Sequence, residues 1–212
     1  VGRTQGQVGA TPNNNLTTTV EADKFDVFVR KYDSAGQVQW TTQLGSNRED
    51  FGTDISLGGD GNLYVTGGGN KQGAKLWQLD AGTGQNNWTQ TQTMDLGNNI
   101  ANSVATVGDA DSGMSIYVVG RSDNDLDGQR IHGGGGYLTK FNVSYQKDAN
   151  NNFVLDPQGK RIQTVTKEWQ QLISSFISPD GTTANTVTVG QDGAIYVAGR
   201  TNKVLNNSQP LI

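Results

Sequence analysis

The segment Asp60-Gly61-Asn62-Leu63-Tyr64-Val65-Thr66-Gly67 carries the architecture of this chain, because the chain repeats it. Its second half returns as Tyr117-Val118-Val119-Gly120 and as Tyr196-Val197-Ala198-Gly199. Those two copies continue into Arg121-Ser122 and Arg200-Thr201, and the chain opens on the same tail, Val1-Gly2-Arg3-Thr4. Upstream of each tyrosine lies an apolar-x-apolar-Gly match: Ile55-Ser56-Leu57-Gly58, Ala105-Thr106-Val107-Gly108 and Val187-Thr188-Val189-Gly190. Between the two matches stands an acidic glycine turn, Asp60-Gly61, Asp111-Ser112-Gly113 or Asp192-Gly193. Alternating apolar residues on both sides of such a turn predict a β-hairpin.

A second hairpin precedes it in each unit. Phe28 to Asp33 leads through Ser34-Ala35-Gly36 to Val38-Gln39-Trp40, and Leu76 to Asp80 leads through Gly82-Thr83-Gly84 to Trp88. Tyr137 to Asn142 leads, after a long detour, to Trp169. Each unit is thus four short strands, too few to bury both faces of its own sheet, so it needs like neighbours. That is the pattern of β-propeller blades. The expected units are residues 23–68, 69–121 and 122–201, with the start of a further one at 202–212, all within one propeller segment. Because propellers close with about four to eight blades, the expectation is a segment of a larger propeller or a chain that closes with a partner, against a complete open array of three units. Trp40, Trp88 and Trp169 are assigned to packing between blades, Tyr64, Tyr117 and Tyr196 and Gly67, Gly120 and Gly199 to the repeat framework, and Trp77 to a surface anchor. Arg3, Arg121 and Arg200 are assigned to acidic partners such as Asp33, Asp54 or Asp80.

Composition agrees with an all-β chain. The 212 residues hold 29 glycines, no cysteine, 33% hydrophobic and 17% charged residues. That is poor in the Ala, Leu, Glu and Lys of long helices. A net charge of −4 and the lack of a basic stripe argue against nucleic-acid binding. No apolar run approaches the ~20 residues of a membrane-spanning helix. Without cysteine there is neither thiolate catalysis nor Cys-ligated zinc.

The run Phe25 to Trp40, followed by Gln43-Leu44-Gly45, Asp50 to Ile55 and Asp60 to Gly67, resembles the bacterial beta-propeller repeat (SBBP-type) family. Leu126-Asp127-Gly128-Gln129 with Gly133 to Lys140 is similar to a variant frequent in cyanobacterial and other large secreted proteins. The resemblance implies propeller blades in extracellular or cell-surface bacterial proteins, often beside adhesion and calcium-binding modules, and no catalytic residues. Leu79-Asp80-Ala81-Gly82-Thr83-Gly84 with Trp88 resembles instead the repeat of quinoprotein dehydrogenase propellers, which bind pyrroloquinoline quinone with calcium.

The sharpest chemical cluster is Asp123-Asn124-Asp125-Leu126-Asp127-Gly128. Asp123, Asp125 and Asp127 alternate as in the front half of a calcium loop, but the glutamate expected at position twelve is Gly134, which excludes an EF-hand and leaves a looser calcium site or a solvated turn. His132 is the one histidine and lies beside Gly133 to Gly136, with no nucleophile motif and no P-loop lysine. The functional expectation is therefore a non-enzymatic scaffold or binding segment, serving adhesion or assembly. It would use the rim stretches Gly6 to Ala22, Asp123 to Gly136 and Gln146 to Ile162 toward a protein or glycan partner, or self-association through blade edges. The alternatives are a segment of a quinoprotein-like propeller enzyme and a calcium-dependent structural module.

Overall fold

In the computed structural model, the residues described are 1–5, 25–45, 49–69, 73–87, 92–93, 99–122, 135–173, 181–202 and 205. They form antiparallel strands and turns only. β1 (Gly2–Thr4), β2 (Asp26–Tyr32) and β3 (Val38–Leu44) make the first sheet, in that order. β4 (Asp50–Leu57), β5 (Asn62–Gly69), β6 (Gly73–Asp80) and β7 (Gln92–Thr93) make the second. β8 (Ile100–Asp109), β9 (Gly113–Ser122), β10 (Gly135–Tyr145) and β11 (Gln163–Ile173) make the third, and β12 (Thr183–Val189) with β13 (Ile195–Arg200) the fourth. Each sheet is a meander whose strands pair in chain order, the arrangement of a propeller blade.

The sheets are offset by half a unit from the sequence repeat. Strands β2 and β3 pair with β1, not with the hairpin β4–β5 that follows them in the 23–68 unit. The same holds for β6 and β7, which complete the sheet of β4 and β5. Each sequence unit therefore gives its first two strands to one sheet and its last two to the next.

Alternation along each strand builds the core between sheets. Val27, Val29, Trp40 and Leu44 of the first sheet meet Val65, Trp77 and Leu79 of the second. Tyr64, Ala74 and Leu76 on the opposite face of the second meet Met114, Ile116, Val118 and Tyr137 of the third. Tyr117 and Val119, on the other face of the third, meet Ala184 and Val187 of the fourth. Trp77, expected at the surface, is only 3% exposed, because β6 is central in its sheet and turns this residue onto the first sheet.

One irregularity recurs in β4, β8 and β12. Thr53 is an extra residue between Gly52, opposite Gly67, and Asp54, opposite Thr66. Asn102 is extra in the same way opposite Gly120, and Asn185 opposite Gly199. These are β-bulges at equivalent positions. A Cβ at Gly67, Gly120 or Gly199 would overlap the carbonyl of Phe51, Ile100 or Thr183 respectively, so the repeated glycine is the counterpart of the repeated bulge. A second shared irregularity places Gln39 and Glu168 as extra residues just before Trp40 and Trp169, which pair with Lys31 and Lys140.

The bulges link neighbouring sheets. Thr53 Oγ1 donates to the Ala101 carbonyl (2.6 Å), and Asn102 Nδ2 donates to the Ala184 carbonyl (2.8 Å). One residue on, the side chain accepts from the next sheet. Asp54 Oδ2 takes the Val104 N–H (3.0 Å) and the Ser103 hydroxyl (2.5 Å), and Ser103 Oγ takes the Val187 N–H (3.3 Å). The second sheet thus grips the bulge of the third, and the third that of the fourth, at one carbonyl and one N–H, fixing how far these sheets slide over one another.

Candidate functional site

Of the rim stretches, Gln146 to Ile162 lies wholly among the described residues and extends the β10–β11 hairpin. It is built from two aspartate-led turns eight residues apart. Asp148 Oδ1 accepts the N–H groups of Asn150 and Asn152 (both 2.9 Å), while its own N–H reaches the Asn152 carbonyl (2.8 Å). Asp156 does the same with Gln158 (2.9 Å) and Lys160 (2.8 Å). Asp33, with Ala35 and Gln37, is a third copy of this turn, between β2 and β3. The fourth residue of each has left-handed backbone, φ 79° at Gly36, 65° at Asn151 and 79° at Gly159, which suits Gly and Asn. The two turns are closed by a ring of three backbone bonds: Val154 N–H to the Gln146 carbonyl, Ile162 N–H to Val154 and Gln146 N–H to Ile162, each 2.9 Å.

Four side chains hold the insertion against the sheets. Tyr145 Oη donates to Asp60 Oδ2 (2.5 Å), the same oxygen that accepts the Tyr64 hydroxyl (2.8 Å). Gln163 and Gln78 exchange amide hydrogen bonds of 2.7 and 3.0 Å across the second and third sheets. Lys160 Nζ reaches Asn87 Oδ1 (2.8 Å), and Lys147 Nζ the Asp111 carbonyl (3.3 Å). Burial, with the charge and hydrogen bond of Asp60 behind it, pushes the phenols of Tyr64 and Tyr145 well above the ordinary tyrosine range. The Asn152 backbone N–H first, and that of Asn150 after it, hold the Asp148 carboxyl below its usual range.

On the outer side the insertion presents one half-buried ring. Phe153 lies edge-on to Tyr145, with centroids 5.9 Å apart, beneath the Arg161 guanidinium at 3.9 Å and the Lys147 ammonium at 5.0 Å. Both carboxylates of the insertion, Asp148 and Asp156, accept backbone N–H groups of their own turns and keep their charge. Against Lys147, Lys160 and Arg161 the insertion is left with one excess positive charge, on a chain of net charge −4. The arrangement can offer cations, an aromatic edge and the amides of Asn150, Asn151 and Gln158 to a polar, anionic surface.

The remaining sequence-derived sites are placed as follows. Asp123, Asp125, Asp127, His132, Trp88, the stretch 6–22 and most of 202–212 lie outside the described residues. Trp40 is buried between the first two sheets, and Trp169 packs on Tyr117 at 6.2 Å. Tyr64 is buried, Tyr117 nearly so, and Tyr196 is 56% exposed. Asp33 and Asp80 serve their own turns and Asp54 the third sheet, while Arg3 stacks on Phe25 at 4.4 Å. The Leu79 to Gly84 stretch is a turn in which Asp80 Oδ1 accepts the N–H (2.7 Å) and hydroxyl (2.9 Å) of Thr83. Among the described residues no group of three or more His, Asp or Glu could hold a metal ion. Sequence reasoning missed Lys75, whose ammonium meets buried Asp50 at 2.6 Å between the first two sheets.

A family model of the beta-propeller repeat, SBBP, matches residues 39–71. The chain carries an SBBP-type propeller repeat. The matched stretch runs from β3 through β4 and β5, so the SBBP unit, like the repeat read from the sequence, straddles two sheets. No curated protein matches the chain. Among the described residues no helix is long and apolar enough to cross a membrane.

Proposed function

We propose that this propeller segment is a non-enzymatic scaffold of a secreted or cell-surface bacterial protein, and that it holds the 146–162 insertion rigidly toward an acidic glycan or protein partner. The observation that carries this reading is the bracing of the insertion. A loop of two tight turns is fastened to two sheets through Tyr145, Gln163, Lys147 and Lys160 while Arg161 and the amides of Asn150, Asn151 and Gln158 stay exposed. A braced loop loses little conformational freedom on binding, which favours recognition. Polar groups and cations favour a wet, hydrogen-bonded interface.

The test is binding of the immobilised protein to panels of acidic and neutral polysaccharides and to cell surfaces. The wild type is compared with a variant in which residues 147–161 are replaced by a short Gly-Ser linker. Loss of binding with unchanged circular dichroism supports the reading; equal binding by both overturns it. Calcium at Asp123, Asp125 and Asp127 is a separate reading, supported by a melting temperature that falls with a chelator.

A further inference from the structure

We propose that Lys75 and Asp50 form a site of covalent self-modification, at which the Lys75 side-chain nitrogen condenses with the Asp50 carboxyl to give an isopeptide bond within the chain. The first support is geometry. Lys75 Nζ lies 2.6 Å from Asp50 Oδ1. That oxygen is bonded to Cγ, so the nitrogen stands within reach of the carbon it would attack. The two residues belong to β6 and β4, which are not neighbours but flank β5. Asp50 is opposite Gly69 of β5, and Lys75 is opposite Gly67. Because β5 has glycine at both positions, no side chain of that strand stands between the amine and the carboxyl.

The second support is the surroundings. Lys75 is 7% exposed and Asp50 0%. The ammonium lies 5.9 Å from the centre of the Trp77 ring, and Trp77 belongs to the apolar seam between the first two sheets. Two charges taken out of water are costly even when they pair, and an amide in their place carries no charge. Asp26 is buried as well. Desolvation chiefly, and the Asp50 charge against the hydrogen bond from Gln43, hold the Asp26 carboxyl above the ordinary aspartate range. Condensation would remove that repulsion. Lys140 and Glu168 make the contrasting pair: they meet at 2.8 Å, but their side chains are 20% and 45% exposed, so water competes for both.

The step balances without any other reactant. A proton moves from the ammonium to the carboxylate along their contact, leaving a neutral amine and a neutral acid. The nitrogen lone pair adds to Cγ, a second proton passes from nitrogen to oxygen, the Cγ–O bond breaks, and that oxygen leaves as water. Nothing is oxidised or reduced. A desolvated lysine is a competent nucleophile. Groups held in attacking position can act at effective concentrations of about 10⁵–10⁸ M, well above that of water, and a site that excludes water protects the product from hydrolysis. The bond would close the chain between residues 50 and 75 and tie β4 to β6 across β5.

This inference stands whether or not the insertion at 146–162 binds a partner. It is tested by mass spectrometry of the denatured 212-residue chain after folding and incubation at neutral pH. The expected mass is lower than that of the sequence by one water, and a proteolytic digest is expected to contain a branched peptide joining Asp50 to Lys75. Lys75→Arg, which keeps the cation, and Asp50→Ala should each restore the full mass and abolish the branched peptide. Either variant should also migrate more slowly than the wild type on a denaturing gel, because its unfolded chain is no longer closed into a loop. A wild type of full mass would overturn the proposal, as would a missing water that persists in Lys75→Arg or maps to a succinimide at Asp60-Gly61 or Asp192-Gly193. The wild-type result decides the matter even if a variant fails to fold.

Discussion

At the residue scale, the repeated glycine and the repeated bulge explain each other. Gly67, Gly120 and Gly199 were legible as a motif, but their cause was not, because the bulged strand lies a hairpin away and its extra residue is Thr53, Asn102 or Asn185. Two different side-chain chemistries occupy one role, so no residue-level pattern marks it. The account predicts that Asn102→Ala lowers unfolding free energy by about 1 kcal/mol, the usual net worth of one hydrogen bond. Asp54→Ala, which deprives the Val104 N–H and the Ser103 hydroxyl of their acceptor, should cost about 1–3 kcal/mol, both read by urea unfolding. Gly120→Ala should exceed either, because the methyl group would overlap the Ile100 carbonyl, which is held in the strand pairing, and crowd the Tyr137 hydroxyl.

The tyrosines at Asp60 give a pH signature. The folded chain holds the Tyr64 and Tyr145 protons more tightly than the unfolded chain, so their stabilisation is whole below about pH 10 and declines as pH rises beyond it. Tyr145→Phe should flatten the alkaline fall in stability measured by thermal melting. A variant that melts with the same alkaline slope as the wild type would contradict this reading of Asp60.

At the element scale, strand positions were readable from alternation and from the Asp-Gly turns, but the grouping of strands was not. A repeat has no intrinsic starting point. Whether β3 closes one sheet or leads into the next depends on contacts between β2 and β1 that the motif does not contain. Trp77 was misplaced for a related reason: a tryptophan out of phase with Trp40 and Trp169 read as a surface residue, whereas β6 is flanked by β5 and β7 and turns it inward. Trp77→Ala should accordingly cost about 3–5 kcal/mol. The Gln146 to Ile162 stretch was recognisable as an insertion from its turn residues. Its bracing was not, because Asp60, Gln78 and Asn87 lie 73 to 85 positions away in sequence from the residues they hold. In the insertion, Asp148 stays ionised to lower pH in the folded chain than in the unfolded one. Its contribution is therefore present above the ordinary aspartate range and lost as pH falls through it. Asp148→Ala should reduce the acid sensitivity of amide exchange at Asn150 and Asn152.

At the scale of the whole molecule, stability is shared among three apolar seams, each made by two faces that neither sheet could bury alone. Such a chain behaves as a row of units coupled to nearest neighbours. Every seam and every grip at a bulge depend on the half-unit offset between sequence repeat and sheet. Cross-strand backbone NOEs test that offset most directly. The account predicts contacts from Val27 to Leu44 and from Val65 to both Ile55 and Trp77. Contacts joining β3 to β4 as neighbours in one sheet would contradict it.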